Sequence, residues 1–293
     1  FITAFEAKYE ILAAVQSEEE IFASNKLPYI IAPLREKATI LEKAAVNNLP
    51  QLIQPGDIKG IIHSHSTWSD GADTIEKMAK AAIEKGYEYL VISDHSQSAY
   101  YAQGLTPDRI AKQHIEIDAL NAQLAPFKIF KSIEADILND GRLDYNDDVL
   151  ATFDLVIASV HSNLKMTEQK AMERVLAAIR NPYTTILGHP TGRLLLSREG
   201  YPLDHKLIID ECVKHKVVIE INAHPRRLDL DWQWIEYAIE AGALLSIDPD
   251  AHAAAAYHDV YYGVLAAQKG GLTKERNLSS FSLKEFEEYL VSV

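Results

Sequence analysis

The chain has 293 residues, 47% hydrophobic and 24% charged, which is enough apolar material for one large core. Its net charge of −13 argues against a basic face for indiscriminate nucleic-acid binding, although carboxylates gathered around cations no longer count as bare negative charge. A single cysteine, Cys212, excludes an intrachain disulfide, and no apolar run approaches the roughly 18 residues that span a bilayer.

Residues 1–54 are rich in Glu, Ala and Lys, with a proline-containing turn at Leu27–Leu34 and an asparagine pair, Asn47-Asn48. They read as a couple of helices and a linker, a short extension ahead of a main domain at 55–293. The chain opens on Phe1 rather than methionine, as expected of a fragment or a processed product. With one cysteine and no signal-peptide pattern, the expected location is cytoplasmic, away from membranes.

From Lys59 onward, short β-rich runs alternate with helix-patterned segments. Lys59–His63 is followed by a helix over Thr74–Lys85, Tyr89–Ser93 by a helix over Pro107–Leu124, and Phe127–Glu134 leads to Asp154–His161. A helix over Glu168–Ile179 precedes Thr184–His189, one over Lys206–His215 precedes Val217–Asn222, and one over Trp232–Ala241 precedes Leu244–Asp248. The runs are nearly continuous in Val, Ile and Leu, as in strands buried on both faces of a parallel sheet. Thr74, Thr106 before Pro107, and Thr167 supply helix starts. Ser282 and Glu285 stand at capping-box spacing before a closing helix through Leu290. The pattern predicts a parallel, barrel-like α/β fold.

Polar residues recur where these strands end. They are His63 and His65, Asp70 in the next loop, His95, Glu134, His161, His189, and Asp250 with His252. In a parallel barrel all strand C-termini lie on one face, so nine donors from six segments would converge there. Imidazole and carboxylate without thiolate suit Zn²⁺, Mn²⁺ or Fe²⁺. Nine ligands are too many for one ion and right for two or three with a bridging carboxylate. His63-X-His65 on an extended chain would put both rings on one side, since side chains repeat with period two. Asp250-X-His252 repeats that device. A lone histidine is more often structural than a ligand, and His114, His205, His215 and His258 fall away from strand ends. Six of the 11 histidines at strand ends, beside three acids, argue for a shared site.

These segments resemble the PHP (polymerase and histidinol phosphatase) family, in order and with workable spacing. The matching stretches are His63-Ser-His65-Ser-Thr-Trp-Ser-Asp70-Gly, Ile92-Ser-Asp-His95, Ile133-Glu134, Ser159-Val-His161, Gly188-His189-Pro and Asp250-Ala-His252. The likeness runs from about Gly56 to the C-terminus. It implies a distorted (β/α)7 barrel, TIM-like, holding three metal ions on all nine positions. Leu138-Asn-Asp-Gly-Arg-Leu-Asp-Tyr, Gly188-His-Pro-Thr-Gly-Arg-Leu-Leu and Arg227-Leu-Asp-Leu look like the PHP domain attached to bacterial family X DNA polymerases. Glu18-Glu-Glu-Ile-Phe, Leu27-Pro-Tyr and Leu34-Arg-Glu are similar to the stretch that joins polymerase to PHP domain there. The resemblance therefore implies that residues 1–54 are the tail of a polymerase region plus linker, that the activity is 3′–5′ exonuclease and 3′-end processing on DNA, and that Mn²⁺ is favoured. Asn222-Ala-His224-Pro departs from the pattern, with histidine in place of the usual asparagine.

The expected chemistry is metal-assisted phosphoester hydrolysis, with a metal-bridging hydroxide held by Glu134 and Asp250. One ion would sit on His63, His65, Glu134 and Asp250, a second on Glu134 and His161, a third on Asp70, His95, His189 and His252. Arg193 and Arg226 are candidates to clamp phosphate oxygens, with ordinary surface charge as the alternative. Arg198, Arg227 and Lys165 are weaker ones. Two other readings compete: a phosphatase for a small phosphorylated molecule such as histidinol phosphate or a nucleotide monoester, and a non-catalytic module packed against a polymerase.

Overall fold

A computed structural model describes residues 1–11 and 15–292. The extension folds first, as short helices α1 (Ile2–Glu6), α2 (Glu18–Ser24) and α3 (Ile40–Ala45) around a cluster that includes Phe5, Phe22, Ile30, Leu34 and Leu41. Lys37 and Lys43 both pair with Glu236 of the main domain, at 2.8 and 2.9 Å, and Glu36 pairs with Lys269 at 2.6 Å.

Beyond it, strands β1 (Gly60–Ser64), β2 (Tyr89–Ile92), β3 (Lys128–Asp136), β4 (Leu155–Ser159), β5 (Ile186–Leu187), β6 (Val218–Asn222) and β7 (Leu245–Asp248) form one 7-stranded parallel sheet in chain order. Helices α4 (Ile75–Glu84), α5 (Pro107–Leu124), α6 (Asp147–Leu150), α7 (Glu168–Ile179), α8 (His205–His215), α9 (Trp232–Ala241), α10 (Val260–Lys269) and α11 (Leu283–Ser292) follow the strands or close the chain. The bounds of α5, α7 and α9 coincide with the sequence pattern. Thr74 and Thr167 cap α4 and α7, each hydroxyl accepting a backbone N–H at 3.3 Å, whereas Thr106 makes no such bond and leaves that start to Pro107. Ser282 and Glu285 form the expected reciprocal cap, the Ser282 N–H donating to Glu285 Oε2 at 2.8 Å.

The sheet closes into the distorted (β/α)7 barrel that the sequence implies. Its seam lies between β1 and β7. At the upper rim His65 N donates to Ala251 O at 2.8 Å and Ala251 N to His63 O at 3.2 Å. Lower down, the segment Asn277–Ser280 fills the gap: Lys59 N donates to Ser279 O at 2.8 Å and Ile247 N to Asn277 Oδ1 at 3.0 Å.

Alternate residues point into the barrel. Its lower half is apolar, built from Ile62, Tyr89, Val91, Phe130, Leu155, Ile157, Ile186 and Val218. Helix α11 plugs this end with Phe286, whose ring stacks on Tyr89 at 4.5 Å and meets Phe130 edge-on at 4.9 Å. The same inward rows then turn polar: Ser132, Glu134 and Asp136 on β3, Glu220 and Asn222 on β6, Ser246 and Asp248 on β7, all buried. Among the described residues no helix is long and apolar enough to cross a membrane.

Candidate metal centre

The polar upper layer is where the nine expected donors meet. His63, His65, Glu134 and His189 are at most 1% exposed, while the Asp70 and His252 side chains are 32% and 42% exposed, so the cluster is closed below and open on that side. The route by which His63 and His65 converge differs from the expected period-two alternation. His63 lies in the left-handed region at φ 59°, and the pairing of β1 with β2 shifts register between Ile61 and Ser64. Asp250 at φ 52° and His189 at φ 24° are bent likewise. Non-glycine residues held there are strained, and such strain collects at functional sites where neighbours over-determine the backbone. Gly71 tightens the loop that carries Asp70, since a Cβ there would lie 2.3 Å from His65 O.

Glu134 is the hub. Its Oε1 lies 2.9 Å from His189 Nε2, 3.0 Å from His161 Nε2 and 3.3 Å from His63 Nε2; its Oε2 lies 3.0 Å from His95 Nδ1 and 3.7 Å from His65 Nε2. Asp250 Oδ1 is 3.1 Å from His65 Nε2 and 3.5 Å from His63 Nε2. Asp70 Oδ1 is 3.4 Å from His252 Nε2 and 3.7 Å from His95 Nε2. Three overlapping groups result: His63, His65 and Asp250; His95, Glu134 and His161; His65, Asp70, His95 and His252. These groups differ from the expected partition: His65 and His95 are each shared between two groups, and Glu134 falls with His95 and His161 and not with His63, His65 and Asp250. His189 sits with Glu134, His161 and His63 rather than with Asp70, because β5 stands across the barrel from the Asp70 loop.

The donor set fits divalent cations. Ligand atoms sharing an ion at about 2.0–2.2 Å stand about 3–3.5 Å apart, close to the separations above. Buried His63 Nε2, His65 Nδ1 and His189 Nδ1 lack a hydrogen-bond partner among the described residues, and the 3.0 Å approach of His95 Nδ1 to Glu134 Oε2 is not aligned as a hydrogen bond, an arrangement that is costly unless something else satisfies these atoms. Charge follows the same logic. Burial works to raise Glu134 and Asp250, but the imidazoles of His161, His63 and His95 around the first, and of His63 and His65 around the second, outweigh it and hold both carboxyls well below their ordinary range. Burial, with His95 and His252 nearby, lowers His65 to about 3, leaving it as the neutral ring a metal requires.

Sequence reasoning missed the layer beneath. Glu220 faces His63 Nδ1 with Oε1 and accepts the His189 N–H with Oε2. Asp136 Oδ1 holds His161 Nδ1 at 2.5 Å. Such carboxylate–imidazole pairs fix the ring and the nitrogen offered to a metal. Asp248 lies beside Glu220; burial and that neighbouring charge push it well above its ordinary range. Asp94 gathers the β1–α4 loop, accepting from Ser66 N at 2.7 Å, Ser69 Oγ at 2.5 Å and Gln113 Nε2 at 2.6 Å. Buried Arg174 donates to Ile137 O at 3.0 Å and Ser162 O at 2.9 Å, tying together the exits of β3 and β4. A charged residue inside the apolar run Val217–Asn222 was the available signal for Glu220.

The candidate arginines differ in what already engages them. The Arg193 guanidinium donates to Asp231 Oδ2 and to the carbonyls of Arg227 and Leu228; it pins the β6–α9 loop instead of standing free to clamp phosphate. Arg198 donates to Gly192 O at 2.8 Å. Arg226 and Lys165 are exposed on neighbouring loops. Arg227, ranked low, reaches the cluster, its Nε 3.6 Å from Asp250 Oδ2. His224 caps its own turn, Nδ1 accepting from Arg226 N at 3.2 Å.

A parallel barrel with imidazoles and carboxylates crowded on its C-terminal rim defines a metallo-phosphoesterase of the PHP type, and the PHP domain model matches residues 62–267. The chain belongs to the PHP family of phosphoesterases. It is 45% identical over 274 residues to the DNA polymerase/3′-5′ exonuclease PolX of Bacillus subtilis (strain 168), which covers 94% of this chain and 48% of that protein. A probable phosphatase of Caldanaerobacter subterraneus subsp. tengcongensis is 28% identical over 169 residues, 55% of this chain and 60% of its own. The chain thus spans 48% and 60% of the length of these two relatives. The crystal structure of a histidinol phosphate phosphatase from Lactococcus lactis subsp. lactis, complexed with zinc, L-histidinol and phosphate, shares the fold at a TM-score of 0.53 and 17% identity, over 72% of this chain and 94% of that one.

Proposed function

We propose that the chain hydrolyses phosphoester bonds with three divalent cations, Mn²⁺ or Zn²⁺ with Fe²⁺ as an alternative, and that its substrate is the 3′ end of a DNA strand, degraded 3′ to 5′. The convergence of His63, His65, Asp70, His95, Glu134, His161, His189, Asp250 and His252, with buried nitrogens left unpartnered among the described residues, carries this reading. What the cations supply when bound is Lewis acidity at the phosphate and a water acidic enough to attack at neutral pH. The ionised Glu134 and Asp250 hold that water between them. Asp70 and His252 line the open side by which a phosphate enters, and Arg227 beside Asp250 takes one of its free oxygens. The neighbouring layer keeps these groups in place, so little reorganisation accompanies reaction.

The likeness to the Bacillus polymerase-exonuclease supports DNA as substrate and reaches into residues 1–54, which supports reading that stretch as the joint to a polymerase region. A small-molecule phosphatase is the second reading, favoured by the net charge of −13 and by the probable-phosphatase relative. A purely structural module fits less well, because no ligand position is lost. The test is a parallel assay, with Mn²⁺ and then with EDTA, on a single-stranded oligonucleotide labelled at its 5′ end and on p-nitrophenyl phosphate. Stepwise shortening of the oligonucleotide is expected. Turnover of the monoester alone refutes the DNA reading, and no metal-dependent turnover of either refutes both.

A further inference from the structure

Directly after His95, the loop that leads to α5 presents two neighbouring aromatic side chains to solvent. Tyr100 is 88% exposed and Tyr101 72%. Large apolar rings left outside in this way call for an explanation when they stand together.

Looseness of the loop does not supply one. Ser96 bridges Leu105, Leu105 N donates to His95 O at 2.8 Å, and Gly104 N to Ala99 O at 3.1 Å. The Tyr145 hydroxyl donates to Leu105 O and accepts from Gln97 N at 3.0 Å, while Ser98 N donates to Asp144 Oδ2 at 2.9 Å. Ala99 and Ala102 are buried beneath the turn. Gly104 allows the close turn, for a Cβ there would lie 1.8 Å from Ser96 O. The loop is pinned, and its two tyrosines are displayed on a fixed scaffold.

The display borders the metal centre. The Tyr101 ring lies 6.3 Å from that of His95, at 57° to it. A phosphate held on the ligands therefore carries its neighbouring base toward these rings. The balance of charge points the same way. With a net charge of −13 the chain has little of the phosphate-neutralising attraction on which nucleic-acid binding usually rests. Stacking of bases on aromatic side chains needs no such charge and tolerates any base sequence.

We propose that Tyr100 and Tyr101 are the platform on which unpaired bases beside the scissile phosphate of a single-stranded DNA end stack. This rests on the DNA reading above and assigns the residues that would distinguish a strand from a small phosphomonoester.

The test compares the full chain with Tyr100→Ala/Tyr101→Ala and Tyr100→Trp/Tyr101→Trp, with Mn²⁺ present. For each, kcat/KM is measured on a single-stranded oligonucleotide and on p-nitrophenyl phosphate. The alanine pair should lower the oligonucleotide-to-monoester ratio about 10-fold or more, mainly through KM, and the tryptophan pair should restore it. Oligonucleotides lacking the base at one of the last positions give the matching readout. Wild type should lose a similar factor on one of them, and the alanine pair should lose little more. An unchanged ratio, or equal losses on both substrates, overturns the platform while leaving the exonuclease reading intact. Wild type that turns over only the monoester overturns both.

Discussion

Glu220 serves two of the proposed ligand positions at once: Oε1 faces His63 Nδ1 and Oε2 accepts the backbone N–H of His189. One fully buried carboxylate on β6 thereby sets a ring on β1 and the backbone beyond β5. Both contacts need an acceptor. In Glu220→Gln, whichever way the amide turns, one of the two N–H groups meets another donor. The variant should bind Mn²⁺ about 10- to 100-fold more weakly, with its far-ultraviolet circular dichroism preserved. Calorimetric titration showing wild-type affinity would remove Glu220 from the site.

His65 is fully buried and lies 3.1 Å from Asp250 Oδ1, in two of the three ligand groups. Replacing it by alanine should reduce metal-dependent hydrolysis by on the order of 10³-fold or more, several kcal/mol of transition-state stabilisation. Asp250→Ala should do the same. Activity near wild type in either variant contradicts the assignment.

Metal uptake should release protons. Burial would lower His161, yet Glu134 and Asp136 outweigh it and bring the ring to about 10; Asp70 and Asp250 similarly bring His252 to about 9. Without metal both rings are charged at neutral pH, and a cation must displace those protons to reach the nitrogen. His65, at about 3, has none to lose. The sign is therefore fixed: Mn²⁺ affinity rises with pH through neutrality and levels off only at about 9 to 10, where His252 and His161 lose their protons. Titrations in two buffers of different ionisation enthalpy should report the released protons, and identical heats in both would contradict these charge states.

Arg227 and Arg193 should separate cleanly. Arg227→Ala should lower kcat/KM about 10- to 100-fold through loss of a charged contact to phosphate, with thermal stability little changed. Arg193→Ala removes the donors that meet Asp231 and two carbonyls of the same loop, and should lower unfolding free energy by about 1–3 kcal/mol in a urea titration. Equal kinetic losses in the two variants would restore Arg193 as a phosphate ligand.

Phe286→Ala should destabilise by about 3–5 kcal/mol, because the ring fills the lower mouth of the barrel against Tyr89 and Phe130. Differential scanning calorimetry checks this. A melting temperature within a degree or two of wild type would mean that α11 is not the plug.

Much of this was legible in the sequence for physical reasons. Strands buried on both faces leave long Val, Ile and Leu runs, and the clustered imidazoles and carboxylates follow those runs at their ends, so the order of the strands and the convergence of these side chains could both be read. What the runs hide is which residues face inward. Glu220 and Asp136 went unremarked because a continuous apolar strand carries no alternation to show its parity, and Asp136 lies just past the run read as Phe127–Glu134. The bends at His63 and Asp250 were equally hidden, since the mild tolerance of His and Asp for positive φ does not mark which of them adopt it. Loop composition does not reveal that Arg193 is engaged by Asp231 or that Arg227 stands 3.6 Å from Asp250.

The seam has a thermodynamic consequence. First and last strands are laced at the top by the backbone of His63, His65 and Ala251, two hydrogen bonds at the foot of the ligands themselves. Cations held as proposed by His63, His65 and Asp250 would act as a buckle on that hoop, and at about 100 times their dissociation constant they would add about 2.7 kcal/mol to the folded state. Closure of the ring and occupancy of the site would then be thermodynamically linked through the strands that meet at the seam.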